Sequence, residues 1–369
     1  MRLENYFFTA RLSSFGTNQR RNVPPSPPKS CRLKVPVINR NSYSQVCKFY
    51  RALHPVIVVP RLNLFTRLLC KLYDVWNGLP PRNKSCTYHE ACIELLLRLH
   101  RKPCLAHILV ADEYCGLLTR TKHLRRASMK LVFSVHQPFK NWAAGDVQTL
   151  EALDGLITMC VSDAKLFAER LPGLPVRCIP HGVDVDYWKA RPLPKAPKKR
   201  IGFCGKHLRN VDMFMRVAQR AMKMRQDVEF YCLIPPGGMN EKWTDFAKLP
   251  GVRILQNLSQ DEVLGFYQGL YLLMMPLNDT TANNVIVESM SCSVPVLSTN
   301  VGGIATYGGG SVFPVVENND DNALYEELCR FLDSPALCEQ TGAACREFAE
   351  TQLSWLKIAA IHEEFYKSL

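Results

Sequence analysis

The chain has 369 residues, of which 47% are hydrophobic, so it is long enough for two domains with separate cores. It contains no run of eighteen or more apolar residues, which argues against a membrane-spanning helix. Its net charge of +13 belongs to one half: residues 1–185 have 27 Lys and Arg against 12 Asp and Glu, and residues 186–369 have 19 against 21. Such an asymmetry predicts an anionic partner (a membrane surface, a phosphate-bearing acceptor or nucleic acid) unless the basic face is merely solvated. Nucleic acid is the least expected partner, because no basic and aromatic strand motif and no zinc-finger spacing accompanies the charge.

Fifteen cysteines are scattered along the chain without a Cys-x-x-Cys pair. Many lie inside apolar runs, as Cys160 and Cys232 do, which is typical of reduced thiols in a cytoplasmic protein. One stretch combines thiols with imidazoles: Cys86, His89, Cys92, Cys104, His107 and Cys115. Three-residue steps on a helix spread such side chains over ~120°, so one metal ion could not easily bind them all and no metal site is predicted.

Residues 1–31 differ in composition from the rest of the chain. They contain several arginines and serines, one acid (Glu4) and the proline cluster Pro24–Pro28. Such a segment can bury little surface, and it predicts a mobile basic N-terminal extension. An Arg- and Ser-rich, acid-poor leader is also typical of an organellar transit peptide, although no cleavage site marks one here.

Between residues 32 and 188, short apolar strands alternate with helical patterns. The candidate strands are Lys34–Ile38, Pro55–Val59, His107–Val110, Leu131–Val135, Leu156–Val161 and Val176–Ile179. The candidate helices are Gln45–Leu53, Ala91–Arg101 and Ala164–Leu171. Strands that alternate with helices pair in parallel through crossover connections, so this stretch predicts a Rossmann-like, doubly wound domain.

The segment Phe65–Trp76 reads FTRLLCKLYDVW and has the spacing of a basic amphipathic helix. Packing of its apolar face into its own domain is the first expectation for such a helix. The alternative is that this face lies on a lipid surface, which would place the protein peripherally at a membrane.

Residues 189–200 (KARPLPKAPKKR) combine three prolines with six basic residues and predict an interdomain linker. A second α/β domain is predicted over residues 201–350. Its candidate strands are Arg200–Cys204, Glu229–Ile234, Val252–Gln256, Tyr271–Met275 and Val294–Ser298. Its candidate helices are Val211–Met224, Gln260–Gly269, Asn284–Cys292 and Asn322–Leu332. The last residues, 351–369, have apolar positions at helical spacing and predict a terminal helix packed on a domain face.

The segment Asp279–Gly303 begins just after a predicted strand and opens into a helix. Its first residues include four side chains that favour helix N-caps: Thr280, Thr281, Asn283 and Asn284. The free N–H groups of a helix start, together with the helix dipole, favour phosphate binding. Glu288 follows one turn later, where a carboxylate would bind neutral hydroxyls such as those of a ribose. Complementing the helix dipole is the simpler explanation of this Glu.

The stretch Asn284–Gly303 (NVIVESMSCSVPVLSTNVGG) resembles the donor-binding segment of the group-1 (glycosyltransferase family 4, glycogen-synthase-like) retaining glycosyltransferases with the GT-B fold. Three further segments are similar to motifs of that family in the same order: Val135–Pro138 (VHQP), Pro180–Asp184 (PHGVD) and Ile201–Asp212 (IGFCGKHLRNVD). The resemblance extends over about Leu33–Leu369, strongly in the second domain and weakly in the first.

The resemblance implies an α/β protein with two Rossmann-like, doubly wound domains facing an interdomain cleft. The first would bind the acceptor and the second a nucleoside diphosphate sugar, with the last helix packing back on the first domain. It further implies transfer of a hexosyl group with retention of configuration and without a metal ion. The donor-binding residues implied are Thr280, Thr281, Asn283, Asn284, Val285 and Glu288.

Three catalytic residues follow from the same resemblance. Lys206 stands at the family's Arg position and Arg209 at its Lys position, where both would stabilise the departing diphosphate. His136 would lie in the opposite wall of the cleft beside the sugar, unless it is a buried structural histidine.

One position departs from the family pattern: Thr280 stands where a second Glu normally touches the donor's sugar hydroxyls. The sequence therefore does not identify the donor's sugar. The acceptor (a glycan, a lipid-linked molecule or a small molecule) cannot be inferred from the loop Asn39–Gln45 that would face it. Two alternatives remain on the same fold. One is a non-catalytic basic protein associated with a membrane or nucleic acid, and the other is a nucleotide-sugar epimerase.

Overall fold

The computed structural model describes residues 4–9, 56–58, 63–76, 78, 87–88, 90–91, 94, 104–108, 129–191 and 198–369. These residues form two compact units. Unit 1 contains the described residues up to Met159 together with Asp163–Ile179 and Ile361–Leu369, and unit 2 contains Cys160–Ser162 and Pro180–Ala360. Apart from Cys160–Ser162, the chain passes from unit 1 to unit 2 between Ile179 and Pro180, earlier than the predicted boundary at residue 188. Residues 192–197 of the predicted linker lie outside the described residues.

Unit 1 is built on a sheet of six parallel strands in the order β2-β1-β3-β4-β5-β6. The strands are β1 (Glu4–Thr9), β2 (Val56–Val58), β3 (Cys104–Ile108), β4 (Met129–Val135), β5 (Gly155–Thr158) and β6 (Val176–Cys178). The helices between them are α1 (Leu64–Trp76), α2 (Ala144–Thr149) and α3 (Val161–Arg170), with short 3-10 turns at Phe139–Asn141 and Leu150–Ala152. The predicted strand Lys34–Ile38, the predicted helix Gln45–Leu53 and the loop Asn39–Gln45 lie outside the described residues.

Strand β1 corrects the prediction for residues 4–9, whereas residues 1–3 and 10–31 of the predicted extension lie outside the described residues. Glu4–Thr9 lies between β2 and β3, with Phe7 opposite Val56 on one side and His107 on the other, so this part of the chain is not a mobile extension. Tyr6, Phe7 and Phe8 are strong strand formers. The prediction missed them because it averaged this short aromatic run with the proline- and arginine-rich residues that follow.

Unit 2 contains a second sheet of six parallel strands, in the order β12-β11-β10-β7-β8-β9. The strands are β7 (Lys199–Cys204), β8 (Val228–Leu233), β9 (Val252–Leu255), β10 (Leu272–Met275), β11 (Val296–Thr299) and β12 (Val315–Val316). The helices are α4 (Val211–Met224), α5 (Glu241–Phe246), α6 (Gln260–Gln268), α7 (Asn284–Ser291), α8 (Asp321–Asp333), α9 (Pro335–Gln352) and α10 (Trp355–Ser368), the last of which ends in unit 1. The prediction of an α/β protein with two doubly wound parallel sheets is therefore confirmed.

Local sequence signals explain where the helices of unit 2 begin. Asn210 caps α4 by accepting a hydrogen bond from the Met213 N–H at 3.1 Å, and Ser259 begins α6 with a capping box that includes Glu262. Helix α4 packs Phe214 against Phe203 of β7, and both rings are fully buried. These contacts place part of the core of unit 2 between α4 and the sheet.

The C-terminal residues Ile361–Leu369 belong to unit 1. The His107 ring on β3 shows how they are held: its Nδ1 lies 2.7 Å from the Tyr366 hydroxyl and its Nε2 2.7 Å from the Ser134 hydroxyl. With both ring nitrogens in hydrogen bonds to hydroxyls, His107 has a structural role rather than that of a metal ligand.

The rest of the Cys and His cluster noted in the sequence (Cys86, His89, Cys92 and Cys115) lies outside the described residues, as does the side chain of Cys104. Among the residues that the structure does describe, no three His, Cys, Asp or Glu side chains come together as a metal site. None of the helices in the described ranges combines the length and the hydrophobicity needed to cross a bilayer.

Candidate functional site

The candidate site begins where β10 ends and the chain turns into helix α7. Asn283 is the N-cap of α7, with extended backbone, and its Oδ1 accepts a hydrogen bond from the Ile286 N–H at 3.4 Å. Its side chain is only 3% exposed, and its Nδ2 has no hydrogen-bond partner among the described residues. A buried amide donor without an acceptor, next to the N–H groups of a helix start, is suited to an anionic ligand.

Two glycines after β11 support the loop that precedes α7. The Gly303 N–H donates to the Thr280 carbonyl, and the Thr280 N–H donates to Asp279 Oδ1 at 2.8 Å. Gly302 has a φ of +51°, and a Cβ at this position would lie 2.2 Å from Asp279 Oδ1 and 2.3 Å from the Thr280 carbonyl oxygen. Only glycine fits so close to this backbone, so the Gly-Gly pair of the motif fixes the position of residues 279–281.

We expect Gly302→Ala to destabilise the protein by about 2–4 kcal/mol, since it adds a strained left-handed residue and a clash with backbone atoms. Gly310→Ala is the matched control: its φ is also positive (+81°), but its Cβ would have no closer neighbour than Val315 at 3.8 Å. The control should cost only about 1 kcal/mol. Urea unfolding followed by circular dichroism measures both variants, and equal losses would show that the close approach at Gly302 is unimportant.

Arg209 comes to this helix start from the loop after β7. Its guanidinium donates to the carbonyls of Cys204 (3.0 Å) and His207 (2.9 Å), and its Nη2 donates to Asn283 Oδ1 at 3.4 Å. The loop is held beside residue 278, because the Asn278 N–H donates to the Leu208 carbonyl at 2.9 Å. Burial lowers the pKa of Arg209 from its usual value, but a guanidinium remains charged at neutral pH. A partly desolvated cation therefore lies in contact with the N-cap of α7.

Lys206 lies on the same loop but extends in a different direction. Its side chain is exposed, and its Nζ donates to the Gly237 carbonyl, on the loop after β8, at 3.3 Å. Of the two predicted cations, the structure thus brings Arg209 into contact with the start of α7, whereas Lys206 contacts the neighbouring loop.

Glu288 lies one turn into α7 and is held by a residue that sequence reasoning missed. The Tyr267 hydroxyl, on α6, donates to Glu288 Oε2 at 3.1 Å. Burial raises the pKa of Glu288 to about 8, although the hydrogen bond from Tyr267 acts in the opposite direction. No local spacing could have indicated Tyr267, because only the packing of α6 beside α7 brings it to Glu288.

The two halves of the site are linked through Cys204. Its carbonyl accepts from Arg209, and burial raises the pKa of its thiol, on which Arg209, Glu288 and Tyr267 also act. Arg209, Asn283 and Glu288 therefore belong to one contiguous group of side chains within unit 2.

Arg346 fixes the far end of α7 and was likewise not predicted. Its Nη1 donates to the Ser291 carbonyl at 2.5 Å and to the Trp188 carbonyl at 2.8 Å. A guanidinium at the C-terminal end of a helix also complements the helix dipole. The helix that carries Glu288 is thus capped by Asn283 at one end and by Arg346 at the other.

The remaining predicted donor-binding residues all lie at this helix start. Thr280 and Thr281 are 3% and 7% exposed, and Asn284 and Val285, the first residues of α7, are half-buried. His136 directly follows β4 in unit 1 and is half-buried. Its place beside the donor sugar stays a prediction.

Comparison with known proteins shows which family the part of the chain around this site resembles. Residues 198–334 match the family Glycosyl transferases group 1, a range that includes Arg209, Asn283 and Glu288. The chain resembles the group-1 glycosyltransferases. This confirms the resemblance that the sequence motif Asn284–Gly303 predicted.

Individual glycosyltransferases are similar over part of the chain. An uncharacterised glycosyltransferase from Methanocaldococcus jannaschii is 29% identical over 153 residues, which are 39% of this chain and 42% of that protein. The D-inositol 3-phosphate glycosyltransferase of Streptomyces scabiei is 24% identical over 249 residues, covering 60% of this chain and 55% of that protein. The chain thus spans about half the length of the curated relatives it matches.

Solved structures show the fold over most of the chain. Sucrose-phosphate synthase from Thermosynechococcus elongatus has a TM-score of 0.62 at 15% identity and covers 84% of this chain and 80% of its own. HepE from Anabaena, in complex with UDP-glucose, has a TM-score of 0.64 at 13% identity and covers 90% of both chains. The GT-B fold class implied by the group-1 glycosyltransferases is therefore confirmed.

Proposed function

We propose that this protein transfers a hexosyl group from a nucleoside diphosphate sugar to an acceptor with retention of configuration. The observation that carries the proposal is the contact of Arg209 with Asn283 at the start of α7, with Glu288 one turn further along the same helix. The cation and the helix start are suited to the diphosphate of such a donor, and the carboxylate is suited to its ribose.

In this proposal the diphosphate binds at the start of α7. When the glycosidic bond breaks, negative charge develops on the diphosphate oxygens, so fixed donors there stabilise the transition state more than the ground state. Arg209 supplies a cation anchored by two carbonyls, and Asn283 supplies a buried N–H without another acceptor. Lys206, on the exposed side of the same loop, would neutralise the outer phosphate. These groups provide the charge stabilisation for which other enzymes use a metal ion, so none is required.

Glu288 would bind the ribose of the donor. A carboxylate accepts two strong hydrogen bonds from vicinal hydroxyls, and Tyr267 orients it for this by holding Oε2. Thr280 and Thr281 would face the sugar with neutral side chains, in place of the Glu of the family pattern.

His136 would lie beside the transferred sugar, and the acceptor would attack from the face that the diphosphate leaves. Attack and departure on one face retain the configuration at the anomeric carbon. The resemblance to the retaining group-1 enzymes supports this part of the proposal.

The experiment is a nucleotide-sugar panel with the purified full chain. Isothermal titration against UDP, GDP and ADP would identify the base, and UDP-, GDP- and ADP-sugars would then be tested for release of nucleoside diphosphate. We expect one base to bind preferentially and its sugar donor to be consumed. If no nucleotide bound and no donor were hydrolysed or transferred, the proposal would be overturned. Conversion of the donor to its epimer without an acceptor would instead show a nucleotide-sugar epimerase.

A further inference from the structure

Helix α1 (Leu64–Trp76) has the reverse of the polarity expected for a helix packed on a soluble domain. Its buried positions are Cys70 and Asp74, and the Thr87 hydroxyl donates to the Asp74 carboxylate, with its oxygen 2.8 Å from Oδ1 and 2.9 Å from Oδ2. On the same side, the Tyr73 hydroxyl donates to Glu94. Polar contacts therefore attach this helix to unit 1.

The opposite side of α1 presents large apolar side chains to solvent. All seven expose at least 48% of their surface: Leu64, Phe65, Leu68, Leu69, Leu72, Val75 and Trp76. Trp76 is 90% exposed and Leu64 87%. At about 100° per residue, these seven positions cover one continuous arc of about 140° around the helix. Contiguous exposed apolar surface of this kind marks an interaction site.

Two basic residues border the apolar arc. Arg67 and Lys71 are exposed and lie one turn apart, between the arc and the buried side. They belong to the half of the chain whose net charge is +15 (27 Lys and Arg against 12 Asp and Glu). An apolar face with Trp, Phe and Leu and a Lys/Arg border is the pattern of a helix that lies in a membrane interface.

We propose that helix α1 binds the surface of an anionic lipid bilayer, with its apolar arc in the boundary between headgroups and acyl chains. Arg67 and Lys71 then contact the lipid phosphates. An antiparallel two-fold contact with a second copy of the chain would bring the basic borders of the two helices together, so such a contact fits this face less well than an anionic surface does. The proposal stands independently of sugar transfer.

The experiment is co-sedimentation of the full chain with lipid vesicles. We expect binding to vesicles of phosphatidylcholine with phosphatidylserine, weaker binding to phosphatidylcholine alone, and loss of the difference in high salt. Phe65→Ser with Trp76→Ser should weaken binding by roughly 100-fold, because two aromatic side chains no longer insert. Arg67→Gln with Lys71→Gln should weaken binding to the anionic vesicles alone, by about 25-fold.

Leu356→Ser is the matched control, since Leu356 is a large apolar residue that is 74% exposed on a different helix, α10. It should bind vesicles like the wild type, and circular dichroism would establish that all variants are folded. Vesicle binding that is absent, or that survives Phe65→Ser with Trp76→Ser, would overturn the proposal. So would an oligomer that this double substitution converts to a monomer while vesicles are not bound, because the arc would then contact a second copy.

Discussion

Replacing Arg209 by alanine is expected to lower the rate of nucleoside diphosphate release from the preferred sugar donor by about 100- to 1,000-fold. In the proposed donor site, this guanidinium is the cation nearest to the start of α7, and the carbonyls of Cys204 and His207 hold it in place without the ligand. A charge fixed in advance costs no reorganisation when the leaving group departs. Steady-state assays at saturating donor measure the effect on kcat, and titration with the nucleotide measures the effect on binding.

Arg209→Lys separates charge from geometry. Lysine keeps the positive charge but has one nitrogen in place of the three that contact Cys204, His207 and Asn283, so we expect an intermediate rate. Arg220→Ala is the control within unit 2, because Arg220 is an exposed arginine on α4 that stacks on Tyr325. Its activity should match the wild type. If the Arg209→Ala variant released nucleoside diphosphate at a rate within a factor of two of the Arg220→Ala variant, Arg209 would not belong to the proposed catalytic group.

The sequence predicted most of the fold because the strands of a doubly wound sheet are short apolar runs between helical patterns. Helix Val211–Met224 was predicted with its observed ends. Helix α9 (Pro335–Gln352) was missed, since many of its inward residues are small and produce little apolar periodicity. Gly342 illustrates the reason: a Cβ there would lie 2.4 Å from the Ser293 carbonyl oxygen. Close helix packing thus leaves room only for small side chains, and the apolar periodicity by which a helix is predicted becomes weak.

The site was predictable where it is local in sequence. Asn283 and Glu288 lie on one short helix, so their spacing alone placed them together. Tyr267 and Arg346 reach the same helix from distant parts of the chain, and no spacing reveals them. The protonation of Glu288 was also beyond sequence reasoning, because the pKa of a carboxyl depends on how completely tertiary packing removes water from it.

Glu288 is expected to make donor binding dependent on pH. Burial raises the pKa of its carboxyl to about 8, so below that pH the group is mostly protonated before the donor binds. If the carboxylate is the form that accepts hydrogen bonds from the ribose, affinity should rise by about 50-fold between pH 6 and 8 and level off above pH 8. An intact nucleotide sugar is the appropriate ligand for calorimetry, because its phosphates do not titrate in this range.

Glu288→Gln is the matched variant for this prediction, since glutamine has the same shape and stays neutral. It should bind the donor more weakly than the wild type at pH 8, and its affinity should not rise between pH 6 and 8.

The unfolding free energy gives a second readout without any donor. A pKa raised from 4.5 to about 8 means that the folded protein holds a proton that the unfolded chain has released. Stability should therefore fall as pH rises between those values in the wild type, and less so in Glu288→Gln. A difference in stability with identical pH profiles for donor binding would confirm the pKa and exclude Glu288 from ribose binding.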